Sequence, residues 1–125
     1  MSSSNLFLNL FRNKDSMRIP AGQTIFKEGD KGDVMFIITE GEVEIHEGSV
    51  LLENAGPGSI FGEMALIDDE PRSATVVAKT DCRVVPVDRR RFEFMVQETP
   101  FFALAVMKVL ANRLRKASVR IASSH

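Results

Sequence analysis

Apolar and polar positions alternate along most of the first ninety residues, in short runs broken by glycine, proline and aspartate. Residues 15–19 and 23–27 form two such runs around Pro20-Ala21-Gly22, a turn sequence. Glu28-Gly29-Asp30-Lys31-Gly32-Asp33 is a glycine-rich turn, and Val34-Met35-Phe36-Ile37-Ile38 after it is continuously apolar, as a strand buried on both faces would be. Glu42-Val43-Glu44-Ile45 alternates strictly, which predicts a strand with one wet face. Val50-Leu51-Leu52, the pair Ile60-Phe61, and the runs 74–78 and 82–87 complete eight short strands. No helical crossover separates them, so the pattern predicts an antiparallel β-roll of the jelly-roll type.

Toward both ends the period becomes helical. Leu6, Phe7, Leu10 and Phe11 recur at i, i+1, i+4 and i+5 behind serines that can cap, predicting a helix over 4–13. Asp88 caps a second helix to about residue 97, with Phe92, Met95 and Val96 on one face. Thr99-Pro100 starts a third, with proline at the first helical position, where its missing N–H costs nothing. That helix runs to about residue 120, with Phe102, Val106, Val109/Leu110 and Leu114 as its apolar stripe. Phe101, Leu104, Met107 and Ala111 lie off the stripe. Two stripes suit either a core face plus a homodimer face or ordinary packing by alanine and methionine. The expected architecture is one mainly β domain over 1–125: a helix at 4–13, a roll over 15–87, and two C-terminal helices over 88–120.

Composition narrows the class. The 125 residues are 44% hydrophobic and 26% charged, in the ordinary soluble range and enough for one core without staples. The single cysteine, Cys82, forbids an internal disulfide and fits a reducing, cytoplasmic setting; in its strand it reads as a small core or edge residue. The start, MSSSNLFLNLFRNK, is a poor signal peptide, and no apolar stretch reaches membrane-spanning length, so a soluble chain is expected. Residues 1–70 carry five Lys/Arg against thirteen Asp/Glu, and residues 71–125 eleven against four. Much of that basic half falls near the end of the last helix, where the dipole favours cations, so it reads as a solvated helix face rather than a nucleic-acid site. His46 and His125 are the only histidines and have no ligand spacing, which argues against a cupin-like metalloenzyme. The Asp/Gly turn lacks the ligand period of a calcium loop. No Ser-His-acid or Cys-His set assembles, so no catalytic residue is expected. Arg115-Lys116-Ala117-Ser118 matches a basic-directed kinase pattern, one that chance supplies often.

The stretch with the most chemistry is GSIFGEMALIDDEPRSATV, residues 58–76. Gly62 ends a strand in a sharp bend; Glu63-Met64-Ala65-Leu66-Ile67 has helix formers for barely a turn and a half, and Pro71 forbids more. A helix mouth behind a glycine offers unpaired N–H groups to an anion. Arg72 adds a permanently charged fork for phosphate oxygens, and Ala65, Ser73 and Ala74 leave room beside it. Glu63 would repel a bare phosphate, so its presence implies a ligand that also donates, and a ribose hydroxyl fits. Together these residues describe a sugar-phosphate clamp.

Gly62-Glu63-Met64-Ala65-Leu66 with Pro71-Arg72-Ser73-Ala74-Thr75 closely resembles the phosphate-binding cassette, over 60–76, of cyclic nucleotide-binding domains. Such domains occur in catabolite-activator-type regulators, kinase regulatory subunits and gated channels. The 28–45 region resembles a second signature of that family, with Gly29, Gly32 and Gly41 at its turns, supplying sheet and turn geometry. The resemblance covers nearly the whole chain. It implies that Glu63 accepts from the ribose 2′-OH, that Arg72 pairs with the cyclic phosphate, and that N–H groups of Gly62, Met64, Ala65 and Ala74 cradle its oxygens. Val50, Leu52 and Val76 are expected as apolar walls around the base. The last helix is expected to lid the base, with Ser118 about where bacterial members place a base-reading hydroxyl.

Ser73 bears on which nucleotide. In the kinase branch a hydroxyl after the arginine goes with guanine, whereas in bacterial regulators serine accompanies cyclic AMP; cyclic AMP is the expected ligand, with cyclic GMP weaker. The resemblance brings no further cofactor. Regulators of this family continue into a helix-turn-helix, and only a handful of residues follow the lid helix here. The expectation is therefore a sensor with no output module and no DNA binding of its own, or a piece excised from a channel or regulator, whose lid helix an effector reads.

Overall fold

The structure, a computed structural model, describes residues 3–12 and 14–123. Eight strands form: β1 (Met17–Ile19), β2 (Thr24–Phe26), β3 (Val34–Glu40), β4 (Val43–Glu47), β5 (Val50–Ala55), β6 (Ile60–Phe61), β7 (Thr75–Ala78) and β8 (Cys82–Asp88). They build two four-stranded antiparallel sheets, one in the order β1-β8-β3-β6 and the other β2-β7-β4-β5. Successive strands switch sheets repeatedly, as a jelly roll requires.

β3 shows why a continuous apolar run was needed. Its register against β8 pairs Met35 with Val87, Ile37 with Val85 and Ile38 with Val84. Met35, Ile37, Val85 and Val87 face the helices, while Ile38 and Val84 face the second sheet. Two cores result, one between the sheets and one between the first sheet and the helices. Cys82 belongs to the inter-sheet core, where its one S–H has the carbonyls of Glu42 and Thr80 as acceptors, both 3.2 Å from Sγ.

The hairpin of β4 and β5 carries a bulge. Ile45 pairs with Glu53 and His46 with Leu51, so Leu52 is an extra residue with no partner of its own. The two-residue link Gly48-Ser49 closes the hairpin, with Gly48 at φ +60.

Four helices pack around the roll. α1 spans Ser3–Phe11, shorter at its end than the expected 4–13, and residue 13 lies outside the described residues. α2 is the single turn Met64–Ile67. α3 (Arg89–Glu98) starts on Asp88, whose side chain accepts from Arg91 N–H at 2.8 Å. α4 (Pro100–Ser123) starts on proline, and Thr99 contributes its carbonyl to Phe102 N–H at 2.8 Å. Phe102 anchors the helices: its ring meets Phe7 and Phe11 of α1, each at 5.9 Å between centroids, and Phe92 of α3 at 5.3 Å.

The α4 stripe does not stay buried along its length. Phe102 and Val106 are in the core and Val109 and Leu110 are half-buried, but Leu114 is 70% exposed. Beyond Leu110 the stripe borders an open cavity rather than packed sheet, which leaves Leu114 accessible. Phe101, Leu104 and Met107 on the other stripe are exposed. No single helix among the described residues is long and apolar enough to cross a membrane.

Because Phe102 joins three rings at full burial, Phe102→Ala should cost about 3–5 kcal/mol of stability in urea unfolding. Phe94→Ala, at a side chain 57% exposed on α3, should stay within about 0.5 kcal/mol. Similar losses at both positions would refute the aromatic anchor.

Candidate functional site

Beyond α2 the chain returns to Arg72, where it meets the glycine-rich turn of residues 28–33. Gly29 N–H donates to Arg72 O and Arg72 N–H donates to Asp30 O, both at 2.8 Å. The turn is itself closed by Lys27 N–H on Asp30 Oδ2 at 3.0 Å. This turn therefore holds the arginine's backbone from both sides, a larger part than sheet geometry alone.

The Arg72 side chain is held as closely. Nη1 donates to Gly62 O at 2.9 Å and Nη2 to Val34 O at 2.7 Å. Its Cζ stands 4.0 Å from the centre of the Phe26 ring, a cation–π contact. The acceptors of Nη1 and Nη2 are both carbonyls, which do not neutralise the charge. Burial pulls the guanidinium below the usual arginine value, against the opposing carboxylates of Asp33, Glu63 and Asp30. Arginine remains charged throughout. Nε is buried without a hydrogen-bond partner. Gly62 stands at φ +77, where glycine is favoured, and a Cβ there would also fall 2.7 Å from Arg72 Nη1.

Glu63 follows at the mouth of α2 and is 3% exposed. Its partner comes from 50 residues away: Arg113 of α4 donates through Nη1 to Glu63 Oε1 at 2.6 Å. The same guanidinium reaches Glu53 of β5, with Nε 3.2 Å from Oε1 and Nη2 3.4 Å from Oε2, and Nη2 also donates to Ile60 O at 2.6 Å. Burial opposes the Arg113 charge, yet Glu63 and Glu53 outweigh it and hold the guanidinium above its ordinary value. One arginine thus ties the last helix to the cassette and to β5.

These groups surround a cavity of about 340 Å³. One wall is the cassette: Gly62, Glu63, Met64, Ala65, Arg72, Ser73 and Ala74 all line it. Leu52 and Val76 form apolar wall together with Phe26, Ile45 and Phe61. Leu110, Arg113, Leu114 and Ala117 close the α4 side at i, i+3, i+4 and i+7.

Two expected positions fall outside. Val50 is 52% exposed at the hairpin tip and is not part of the wall. It pairs with Glu47, two residues beyond the bulge, and its side chain is turned to solvent although Glu47 itself lines the cavity. Ser118 is exposed and also absent from the wall, because one helical residue beyond Ala117 turns it away from the lining stripe. Arg113, Glu53 and Phe26 are the residues that sequence reasoning missed. A signal for Arg113 existed: a charge inside the Leu110–Leu114 stripe needs a buried counter-charge.

The model of the family described as the cyclic nucleotide-binding domain matches residues 16–99. The chain belongs to the cyclic nucleotide-binding domain family. Over 81 residues the domain is 41% identical to a cAMP-dependent protein kinase regulatory subunit of Aspergillus niger, covering 63% of this chain and 20% of that protein. The crystal structure of the Thermus thermophilus catabolite activator protein superimposes with TM-score 0.78 at 31% identity, covering 96% of this chain and 57% of that one. A cGMP-bound structure of the EAL enzyme Bd1971 is 37% identical with TM-score 0.63, over 87% of this chain and 30% of that one. The chain thus spans between a fifth and about three-fifths of these relatives.

The Arg113 bridge sets up a stability test. Arg113→Leu leaves the Glu63 carboxylate buried without its counter-charge and should cost about 3–5 kcal/mol in urea unfolding, the cost of breaking a buried pair. Adding Glu63→Gln removes the stranded charge and should recover most of that loss. A double variant no more stable than Arg113→Leu alone would refute the pairing.

Proposed function

We propose that this domain is a cyclic-nucleotide sensor module that takes cyclic AMP in preference to cyclic GMP. The observation that carries the reading is Arg72: a partly desolvated guanidinium on the wall of a cavity, held by two carbonyls and a ring, with no carboxylate among the described residues bonded to it. A cyclic phosphate supplies the missing anion. Glu63, on the same wall, accepts from the ribose 2′-OH, which explains an acid beside a phosphate site. N–H groups of Gly62, Met64, Ala65 and Ala74 approach the phosphate oxygens, and Leu52 and Val76 flank the base. The role is binding, and no reaction is assigned to the cavity.

Transmission runs through Arg113. A nucleotide that engages Glu63 competes for the carboxylate that now holds α4, so ligand binding re-weights the bridge and moves the helix. An effector protein or domain then reads the position of α4. The comparison with a cAMP-dependent kinase subunit supports cyclic AMP, as does Ser73 by its likeness to the bacterial regulators. The cGMP-bound relative keeps cyclic GMP as the second ligand.

Isothermal titration with both nucleotides tests the reading. Arg72→Ala should lose about 2–5 kcal/mol of binding, as a buried charge pair does when one partner is removed. Glu63→Ala should lose less, about 1.5–3 kcal/mol, as for one hydrogen bond to a charged group. Arg72→Lys should also bind poorly, since an ammonium lacks the two-pronged contact. Equal, small effects at both positions would sink the clamp. Tighter binding of cyclic GMP, abolished by Ser73→Ala, would reassign the ligand.

The exposed Phe101–Leu104–Met107 side of α4 supports a homodimer as the assembled form. Sedimentation should then show a mass that rises with concentration toward twice 13.9 kDa, and Met107→Glu should hold the chain at the monomer mass. A concentration-independent monomer of the wild type would reject it.

A further inference from the structure

Gly29 and Gly32 sit three residues apart in one turn and are glycines for different reasons. Gly29 has φ +86 and open space where a Cβ would stand, so its backbone conformation explains it. Gly32 lies outside the positive-φ region, so no such demand exists there. What it lacks is room. A Cβ at Gly32 would fall 2.5 Å from Arg72 Nη2 and closer still to Nε and Cζ. The guanidinium occupies the space that a side chain at position 32 would take.

We propose that Gly32 is a positioning residue for Arg72, its missing Cβ forming the slot in which the guanidinium is held facing the cavity. The Phe26 ring and the carbonyls of Val34 and Gly62 hold the same group. The buried, unpartnered Nε is explained by the same placement, since packing against Gly32 shields it from water without offering an acceptor. In a clash with Gly32→Ala, the group that yields is the end of a flexible side chain. Arg72 swings, the sheets stay, and the Val34 and Gly62 bonds are given up. The damage therefore falls on the site rather than on the fold. The consequence for binding rests on reading the cavity as a cyclic-nucleotide site; the placement of Arg72 does not.

Two measurements separate these. In ¹⁵N-edited NMR of the unliganded domain, the Arg72 Nε–H, assigned by its loss in Arg72→Lys, should exchange slowly with water. In Gly32→Ala it should shift and exchange fast. An unchanged, protected signal would overturn the proposal whether or not any nucleotide binds. In titrations with cyclic AMP, Gly32→Ala should weaken binding by at least about tenfold. The same change in an Arg72→Ala background should weaken it no further, because the obstructed group is gone. Equal losses in both backgrounds would assign Gly32 to the fold instead. If Gly32→Ala fails to fold, folding of the Gly32→Ala/Arg72→Ala double variant supports the proposal, and failure of both refutes it. A wild type that binds no nucleotide, with the NMR outcome as expected, would overturn the functional reading and leave the slot standing.

Discussion

A guanidinium withdrawn from water must find acceptors or a counter-charge, and the two arginines of the cavity meet that demand in opposite ways. Arg113 is neutralised by Glu63 and Glu53. Arg72 is hydrogen-bonded by carbonyls and stacked on a ring, which steadies it without cancelling its charge. One arginine is electrically closed and the other open. The open one leaves a cationic head group on the cavity wall, while the closed one ties α4 to the bend at Glu63 and to β5.

The two-sheet architecture makes this arrangement possible. Acceptors for Arg72 come from β3 and from the bend after β6; acceptors for Arg113 come from β5, the bend and the end of the first sheet. None of these segments is adjacent in sequence to the arginine it serves. A jelly roll brings them together because its strands alternate between sheets, so every corner of the roll is a meeting of distant segments. The cassette occupies one such corner. α4 reaches it because Phe102 pins the start of that helix against α1 and α3.

Periodicity revealed the elements well, for a local reason: each strand or helix carries its own alternation and its own stop signals. The double-sided burial of β3 was visible in five consecutive apolar residues, and the α3 start in Asp88. The cassette was visible because its glycine, acid and arginine lie within about ten residues of each other. The rest of the site was not, because its partners are 50 and 60 residues apart, and the one hint, a charge inside the Leu110–Leu114 stripe, does not say which carboxylate meets it. Glu53 looks like a polar residue at the wet side of a hairpin, and Arg113 like one more cation near the end of a basic helix. Val50 and Ser118 fall off the wall for geometric reasons, the first by facing solvent at the hairpin tip and the second by about a hundred degrees of helical phase. Gly32 was noticed as a turn residue; only the position of the Arg72 head group separates its role from that of Gly29.

The extra residue in β5 has a consequence for how the hairpin can vary. With Leu52 unpaired, the strand changes parity there, so residues on its two sides are counted from different origins. Losing one residue at the exposed Gly48-Ser49 tip would break the two-residue turn and the Glu47–Val50 pair that it closes. Losing Leu52 would remove part of the apolar wall and restore an unbroken ladder, dragging the tip half a pleat out of step with β4. The hairpin is thus fixed in number at its middle as well as at its tip, although both are near the surface.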